Sequence, residues 1–470
     1  MKVYSFPRGG LSFDDPTVPS SNSSVVAFLP AFSVMPLQYP GMKASASVAV
    51  GDSVREGMLI GRGEGPNSAN IHAAVPGKVV RSVQWKDSEG LPNEALVIRM
   101  EGEFECLGKK EENYLRSGMN HQDLQRLLDD YGIVEMEGSG RPVAAILAEL
   151  RRAGGPQTLV VRCVFDDPWL AADYVLCKER LQAVVEGSFI IARLNGSVKR
   201  IVFAVSYREK DMGDAMLAES GRYDVPSSMV LTGSRYPQRN HRELELVLRN
   251  YEKKENVSLG NLLILGPATL AAVHDAVKYH RPILDRYVAV GGSAVRNPQV
   301  MRVRIGKRLS DLFAECGGFI DIPSRIATGS PLCGKTVLNL DEPVTKTSYA
   351  VFAMLKTHTG DHLKRDCISC GECRSVCPVG LDPEEWYKHI TTLRSGKNPG
   401  VPECHGCACC EVVCPSHLPL SDVIMGKASA ETSSPRDTSL PREPLSPREP
   451  SSPREPSSPR EPSSPKEAYD

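Results

Sequence analysis

The sequence predicts a multidomain chain of the α/β plus β class, and three observations carry that prediction. Between residues of about 40 and 100, apolar and polar positions alternate around Gly51, Gly57, Gly61 and Gly77, the pattern of short strands joined by tight turns. From 122 to 281, β-branched and Leu-rich runs alternate with helix-compatible stretches, which argues an α/β domain with a largely parallel sheet. Between 355 and 427, nine of the fourteen cysteines crowd together, and eight of them form two copies of one spacing.

In chain order, residues 1–110 are an N-terminal region holding the small barrel, read from ASVAVGDSVREGMLIGRGEG and IHAAVPGKVVRSVQW. In the α/β domain, TLVVRCVF, IIARL with KRIVFAVSY, and NLLILG read as strands. PWLAADYVLCKERLQAVVEG and RNHRELELVLRNYEKK read as helices. Residues 282–345 begin with strands that turn at Gly291–Gly292 and Asn297–Pro298, then lead into an amphipathic helix ending at Gly317, the outline of a small β-grasp module. From Pro441 a six-residue PREPSS period of proline, paired charge and serine takes over. Such a segment buries no core, so residues 428–470 are expected to be a disordered Pro-rich tail, either a tether or an unselected expansion.

With 470 residues, 41% hydrophobic and 24% charged, the chain supports about three globular domains. A formal charge of −1 gives no electrostatic case for nucleic acid. The apolar run Val25–Leu37 is too short to span a bilayer, is broken by Pro30 and Pro36, and lacks a basic segment before it. The expectation is therefore no membrane span of its own, with any membrane attachment made through protein contacts.

The cysteine runs are Cys367, Cys370, Cys373, Cys377 before Pro378, and Cys404, Cys407, Cys410, Cys414 before Pro415. Both read C-x-x-C-x-x-C-x-x-x-C-P, the bacterial ferredoxin run that holds a [4Fe–4S] cubane. Three thiolates two residues apart wrap one face of a cubane, and the closing cysteine of each run ligates the other cluster. Cys367, Cys370, Cys373 and Cys414 are thereby assigned to one cluster, and Cys404, Cys407, Cys410 and Cys377 to the second, in a two-cluster ferredoxin-like domain over 355–427. Structural zinc prefers two knuckles separated by a longer insert, and a disulfide framework lacks a secretory signal. Cys409 reads as a non-ligand beside the second cluster, while Cys106, Cys163, Cys177, Cys316 and Cys333 read as buried reduced thiols. His72, His405 and His417 read as surface or supporting histidines rather than metal ligands, and Lys346 as approaching the cluster domain in a positional rather than chemical role.

Several segments in this order carry a family resemblance: FPRGG, VGDSV with HAAVPGKV, RYPQ at 235–238, VGGSAVRNPQVMRVRIG, PVTKTS at 343–348, and both cysteine runs. The chain resembles the C subunit of the Rnf ion-translocating electron-transport complex over nearly its whole length apart from the tail. The barrel is similar to the barrel-sandwich fold of lipoyl and biotinyl domains, yet the stretch GPNSANIH has no lysine to modify, so a non-carrier barrel is expected. The resemblance implies that the α/β domain is like the FMN- and NADH-binding domain of complex I. It also implies a peripheral subunit on the cytoplasmic side of the bacterial inner membrane, in a complex coupling electron transfer to sodium or proton translocation. Its partners would be the other subunits and a small redox protein or NADH.

At the family's flavin loop, G-x-G-G-A-G-F-P followed by lysine, this chain reads Met136, Glu137, Gly138, Ser139, Gly140, Arg141, Pro142, without the lysine. The family's E-x-E-P corresponds to Phe165, Asp166, Asp167, Pro168, and the glycine expected after Tyr236, Pro237 and Gln238 is Arg239. Glu137 would stand where an anionic phosphate should sit. The residues favour an α/β fold kept as a scaffold over one that binds FMN and NADH. The preferred function is an electron relay with no catalytic acid, base or nucleophile. The competitors are a soluble reductase adaptor for a corrinoid or flavin partner and a cluster-stabilised interaction scaffold.

Overall fold

The computed structural model describes residues 2–13, 20–39, 42–65, 67–86, 92–107, 119–167, 169–356, 364–392 and 400–426, all within one unit spanning 1–436. The Pro-rich tail and Pro168 of the acidic segment lie outside the described residues. Among the described residues, no helix is long and apolar enough to cross a membrane.

The barrel is built from two four-stranded antiparallel layers. One orders Phe32–Pro36, Pro92–Met100, Gly77–Lys86 and Ser53–Val54; the other orders Gln38–Tyr39, Met42–Ala46, Leu59–Gly63 and Ile71–His72. Period-2 alternation puts Ile60, Ile71, Val79 and Ile98 into the space between them, each fully buried.

The α/β domain carries a five-stranded sheet ordered Val3–Tyr4, Ser227–Thr232, Val198–Ser206, Gln157–Cys163 and Asn261–Leu265, and every neighbouring pair is parallel. Parallel strands are covered on both faces, which is why LVV and IVFAV are uninterrupted apolar runs. The segment IIARL, expected as a strand, instead ends the helix Leu181–Leu194. Its Ile191 and Ala192 are buried, and this helix packs along Pro267–Tyr279, so the apolar run continues a helical face rather than following a strand's period of two.

The third sheet is mixed and six-stranded, ordered Lys335–Thr336, Arg325–Thr328, Ala350–Met354, Asp285–Gly291, Gln299–Arg304 and Ser20–Val26. The helix Leu309–Glu315 covers it, burying Leu309, Leu312 and Phe313. Two of its strands come from beyond 282–345: Ala350–Met354 inside the sheet, and the N-terminal strand Ser20–Val26 at its edge, which pairs parallel to Gln299–Arg304. The first 26 residues therefore serve two sheets outside the barrel.

Lys346 joins these modules. Its side chain is 2% exposed, and its Nζ donates to Asn70 O of the barrel at 2.7 Å and to Gly132 O of the α/β domain at 2.8 Å. It is positional, as expected, but the units it positions are the barrel and the α/β domain. Desolvation lowers its pKa to about 7. The neighbouring His72, expected from sequence to be a surface or supporting residue, is buried, and desolvation followed by the Lys346 charge lowers its pKa to about 3.

Because Lys346 titrates near 7 folded and near its ordinary 10.5 unfolded, the unfolded chain binds the extra proton between those values. Its contribution to stability therefore rises with pH through that window and is lost as pH falls through 7. Lys346→Met strands the half-buried Asn70 and the buried Gly132 carbonyls and is expected to cost about 2–4 kcal/mol at pH 9. By denaturant unfolding, the gap between wild type and variant should be smaller at pH 6; an equal gap at both values would refute a neutral buried amine.

Candidate functional site

The two cysteine runs fold as copies. Each begins in an extended loop, enters a one-turn helix at Glu372–Ser375 or Cys409–Val412, and leaves it just before the closing cysteine. In both loops the second and fourth residues after the first cysteine take positive φ: Ser369 at 55° and Gly371 at 77°, then Gly406 at 64° and Ala408 at 61°. A left-handed conformation costs an L-residue about 1–2 kcal/mol, so Ser369 and Ala408 hold it only because the surrounding fold imposes it. Left-handed residues of this kind turn successive backbone N–H groups inward into a concavity that suits an anionic centre.

The loops line two cavities. One is bordered by Cys367, Cys370, Cys373 and, from the other run, Cys414, together with Tyr387 and Leu418. The other is bordered by Cys404, Cys407, Cys410 and, again from the other run, Cys377, with Cys409 beside them. Leu381 N donates to Cys377 Sγ at 3.3 Å. Val401, Leu418, Leu420 and Ile424 form an apolar cluster with Cys373 and Cys410 around these walls. Cys373, Cys377 and Cys410 are buried and Cys370 is exposed, so the first cavity opens to the surface on one side. Among the described residues, no three His, Cys, Asp or Glu side chains are grouped as a single metal ion would need. The donor chemistry is four soft thiols around each space, which fits a cubane.

The second run is seated on the α/β domain. Tyr236 Oη donates to Cys407 O at 3.0 Å, and His405 Nδ1 lies 2.7 Å from Oε1 of the buried Glu243. Arg242 Nη1 lies 2.7 Å from His405 Nε2. The N-terminal strap reaches the first run: Gly10 N donates to Val376 O at 2.9 Å, and Gly9, with φ 64°, lies so close that a Cβ there would sit 2.5 Å from Val376 O and 2.7 Å from Cys377 C. RYPQ and FPRGG were legible as motifs, but nothing in their spacing pointed to Glu243 or Arg242.

The remaining thiols stand apart. Cys163 and Cys177 are buried with their sulfurs 4.0 Å apart, and Cys316 is buried. Cys106 is half-buried and Cys333 exposed, which corrects the expectation that all five are buried; both lie on irregular segments where no strand or helix face dictates burial. Cys333 Sγ nevertheless approaches Tyr236 Oη to 3.7 Å. His417 is exposed, in a left-handed turn.

The loop 136–142 lies against the N-terminus of the helix Pro267–Tyr279. Glu137 accepts from Thr269 N at 3.0 Å and from Thr269 Oγ1 at 2.5 Å. Glu135 accepts from the loop amides of Glu137 at 3.1 Å and Ser139 at 2.5 Å. Arg239 pairs with Asp173 at 3.3 Å, donates its backbone N–H to Asp166 Oδ2 at 3.1 Å, and sits over the Tyr349 ring. These residues do not fit a flavin phosphate, because the groups that would bind it already hold carboxylates of the chain.

Comparison with known proteins places these modules. Residues 6–103 match the family model described as the RnfC barrel sandwich hybrid domain, 128–274 the Nuo51 FMN-binding domain, and 287–336 the SLBB domain. The C subunit of the ion-translocating oxidoreductase complex from Rhodobacter capsulatus is 31% identical over 367 residues, covering 77% of this chain and 70% of that protein. The C subunit of the proton-translocating ferredoxin:NAD(+) oxidoreductase complex of Clostridium ljungdahlii is 29% identical, covering 80% of this chain and 82% of that one. The sodium-translocating counterpart from Acetobacterium woodii is 25% identical over 75% and 80%. Fold and modules define a multidomain protein of the barrel-sandwich, Nuo51 and SLBB type. The chain belongs to the RnfC family, the C subunits of ion-translocating oxidoreductase complexes.

Gly9 and Gly371 separate two kinds of glycine requirement. Gly9→Ala drives a Cβ into the backbone of Val376 and Cys377 and is expected to cost about 2–3 kcal/mol and to loosen Cys377, seen as faster thiol labelling there. Gly371 has the same sign of φ but open space around its Cβ position, so Gly371→Ala should cost only about 1 kcal/mol. Equal losses in thermal or denaturant unfolding would refute the distinction.

Proposed function

We propose that this chain is the peripheral electron-relay subunit of a membrane-bound, ion-translocating oxidoreductase complex and carries two [4Fe–4S] clusters. The observation that carries the reading is the pair of four-thiol cavities, each completed by the closing cysteine of the other run. Cys367, Cys370, Cys373 and Cys414 would hold one cluster, and Cys404, Cys407, Cys410 and Cys377 the other. When bound, such clusters supply one-electron transfer. The chain's own residues orient the thiols through the left-handed loop positions, and Leu418, Leu420 and Ile424 keep water from their inner side. With no acid, base or nucleophile needed, holding that geometry is the whole task.

The relatives' names supply the setting: complexes that translocate protons or sodium ions and exchange electrons between ferredoxin and NAD(+). The other subunits of such a complex are the proposed partners, with a small redox protein or NADH as donor or acceptor, at the cytoplasmic face of the inner membrane. Attachment would run through protein contacts, which agrees with the lack of a spanning helix among the described residues.

Anaerobically purified protein should contain iron and acid-labile sulfide at about eight each per chain. Cys414→Ser should damage the cluster held mainly by the first run, and Cys377→Ser that of the second, as read by paramagnetic resonance. Zinc in place of iron would end the relay reading, and a Cys414→Ser variant with an undisturbed first-run signal would overturn the ligand exchange.

A further inference from the structure

We infer that the α/β domain of this chain has closed its flavin site with its own side chains, so that it takes no FMN and serves instead as a rigid seat for the second cysteine run. The domain matches a family described as FMN-binding, which makes the contents of its cradle decisive. A phosphate cradle needs a loop whose backbone N–H groups are free and a helix N-terminus that faces the ligand. Here each is occupied. The amides of the loop at Glu137 and Ser139 are taken by the Glu135 carboxylate, and the Thr269 N–H at the start of the helix Pro267–Tyr279 is taken by Glu137. Glu137 is buried and packs so tightly that a Cβ on Gly266 would lie 2.3 Å from its Cδ. No space for a phosphate remains between the carboxylate and the helix.

Charge argues the same way. Arg162, Arg239 and Arg286 face Glu137, Asp166, Asp167 and Asp173 in one buried network: Arg286 Nη2 donates to Met136 O at 2.8 Å, Arg162 Nη1 reaches Arg239 O at 3.4 Å, and Arg239 pairs with Asp173. Asp173 senses Glu137 and all three guanidinium groups. Three cations meet four carboxyl groups, and burial raises the pKa of Asp166 to about 7 and shifts Asp167 and Asp173 in the same direction. A phosphate dianion would have to displace these carboxyl groups from guanidinium partners they already hold. Among the described residues, the buried side-chain atoms of this network without a protein partner are two carboxyl oxygens, Asp166 Oδ1 and Asp167 Oδ2, and two guanidinium nitrogens, Arg162 Nη2 and Arg286 Nη1. Such a mixed set suits buried water.

The same segment that closes the site supports the thiols. Arg239 follows Tyr236, whose hydroxyl donates to Cys407 O, and precedes Arg242 and Glu243, which hold His405. Arg239 anchors the middle of this stretch to Asp166 and Asp173, where a glycine would leave it loose.

The test uses full-length chain purified anaerobically with its iron. Flavin released on denaturation is measured, FMN is titrated by quenching of flavin fluorescence, and iron is counted in the same samples. The wild type should release no flavin and show no saturable quenching, while the Glu137→Gly/Arg239→Gly double variant should show saturable quenching on FMN titration. Saturable FMN uptake by iron-loaded wild type overturns the inference and leaves the relay reading intact. Absence of both iron and flavin removes the relay reading and leaves this one. A double variant that keeps its iron yet takes no FMN overturns the claim that these two side chains close the site. If the double variant loses iron, the milder Glu137→Gln/Arg239→Gly pair is judged by the same criterion.

Discussion

The guanidinium of Arg235 holds the N-terminal strap to the edge of the parallel sheet, and the placement of the thiols depends on it. It donates to Phe6 O at 2.8 Å, to Gly9 O at 2.7 Å and to Ser5 Oγ at 3.0 Å, and it lies over the Phe6 ring at 4.6 Å. Tyr236 exchanges backbone hydrogen bonds with Leu11 immediately beyond. Held in this way, the strap presents Gly9 and Gly10 to Val376 and Cys377, while Tyr236 and Glu243 reach the second run from the other side. A planar group with five donors is suited to this work, since it reaches two carbonyls and a hydroxyl while its face lies on the ring, which a compact ammonium cannot do at once.

Much of this was legible in the sequence because local chemistry dictated it. The cysteine spacing led to the grouping of thiols that lines each cavity, and the apolar runs TLVV and NLLILG led to a parallel sheet. The failures share a cause. IIARL is apolar on consecutive positions, which a short strand and the buried end of a helix both allow, and only packing against Pro267–Tyr279 decides between them. His72 and Lys346 lie far apart in sequence, and their burial arises where three modules meet. The pairings of Ser20–Val26 and Val3–Tyr4 are likewise long-range, and two or seven residues carry no periodicity that names a distant partner.

Buried and half-buried ion pairs occur both where modules join and within them. Glu56 of the barrel and Arg304 of the six-stranded sheet form an ion pair at 2.8 Å with side chains 0% and 6% exposed, and Lys307 pairs with Glu315 beside Phe28 O. Arg180 and Asp275 meet at 2.6 Å between two helices of the α/β domain. Such pairs add little net stability over apolar packing, yet breaking one leaves a stranded charge. Displacing either partner of the Glu56–Arg304 pair would leave the other charge buried and unpaired, which opposes sliding of the barrel on the six-stranded sheet.

The strap also ties together distant parts of the sequence. Val3–Tyr4 pairs with Leu231–Thr232, and Gly10 bonds to Val376, so contacts made by the first ten residues close loops of more than 220 and more than 360 residues. Loop closure on that scale is slow, and it comes after local helices and hairpins have formed. These residues precede their partners by more than 220 positions, so they leave the ribosome long before those partners exist. Until these contacts form, the backbone around Cys377 lacks one of its supports.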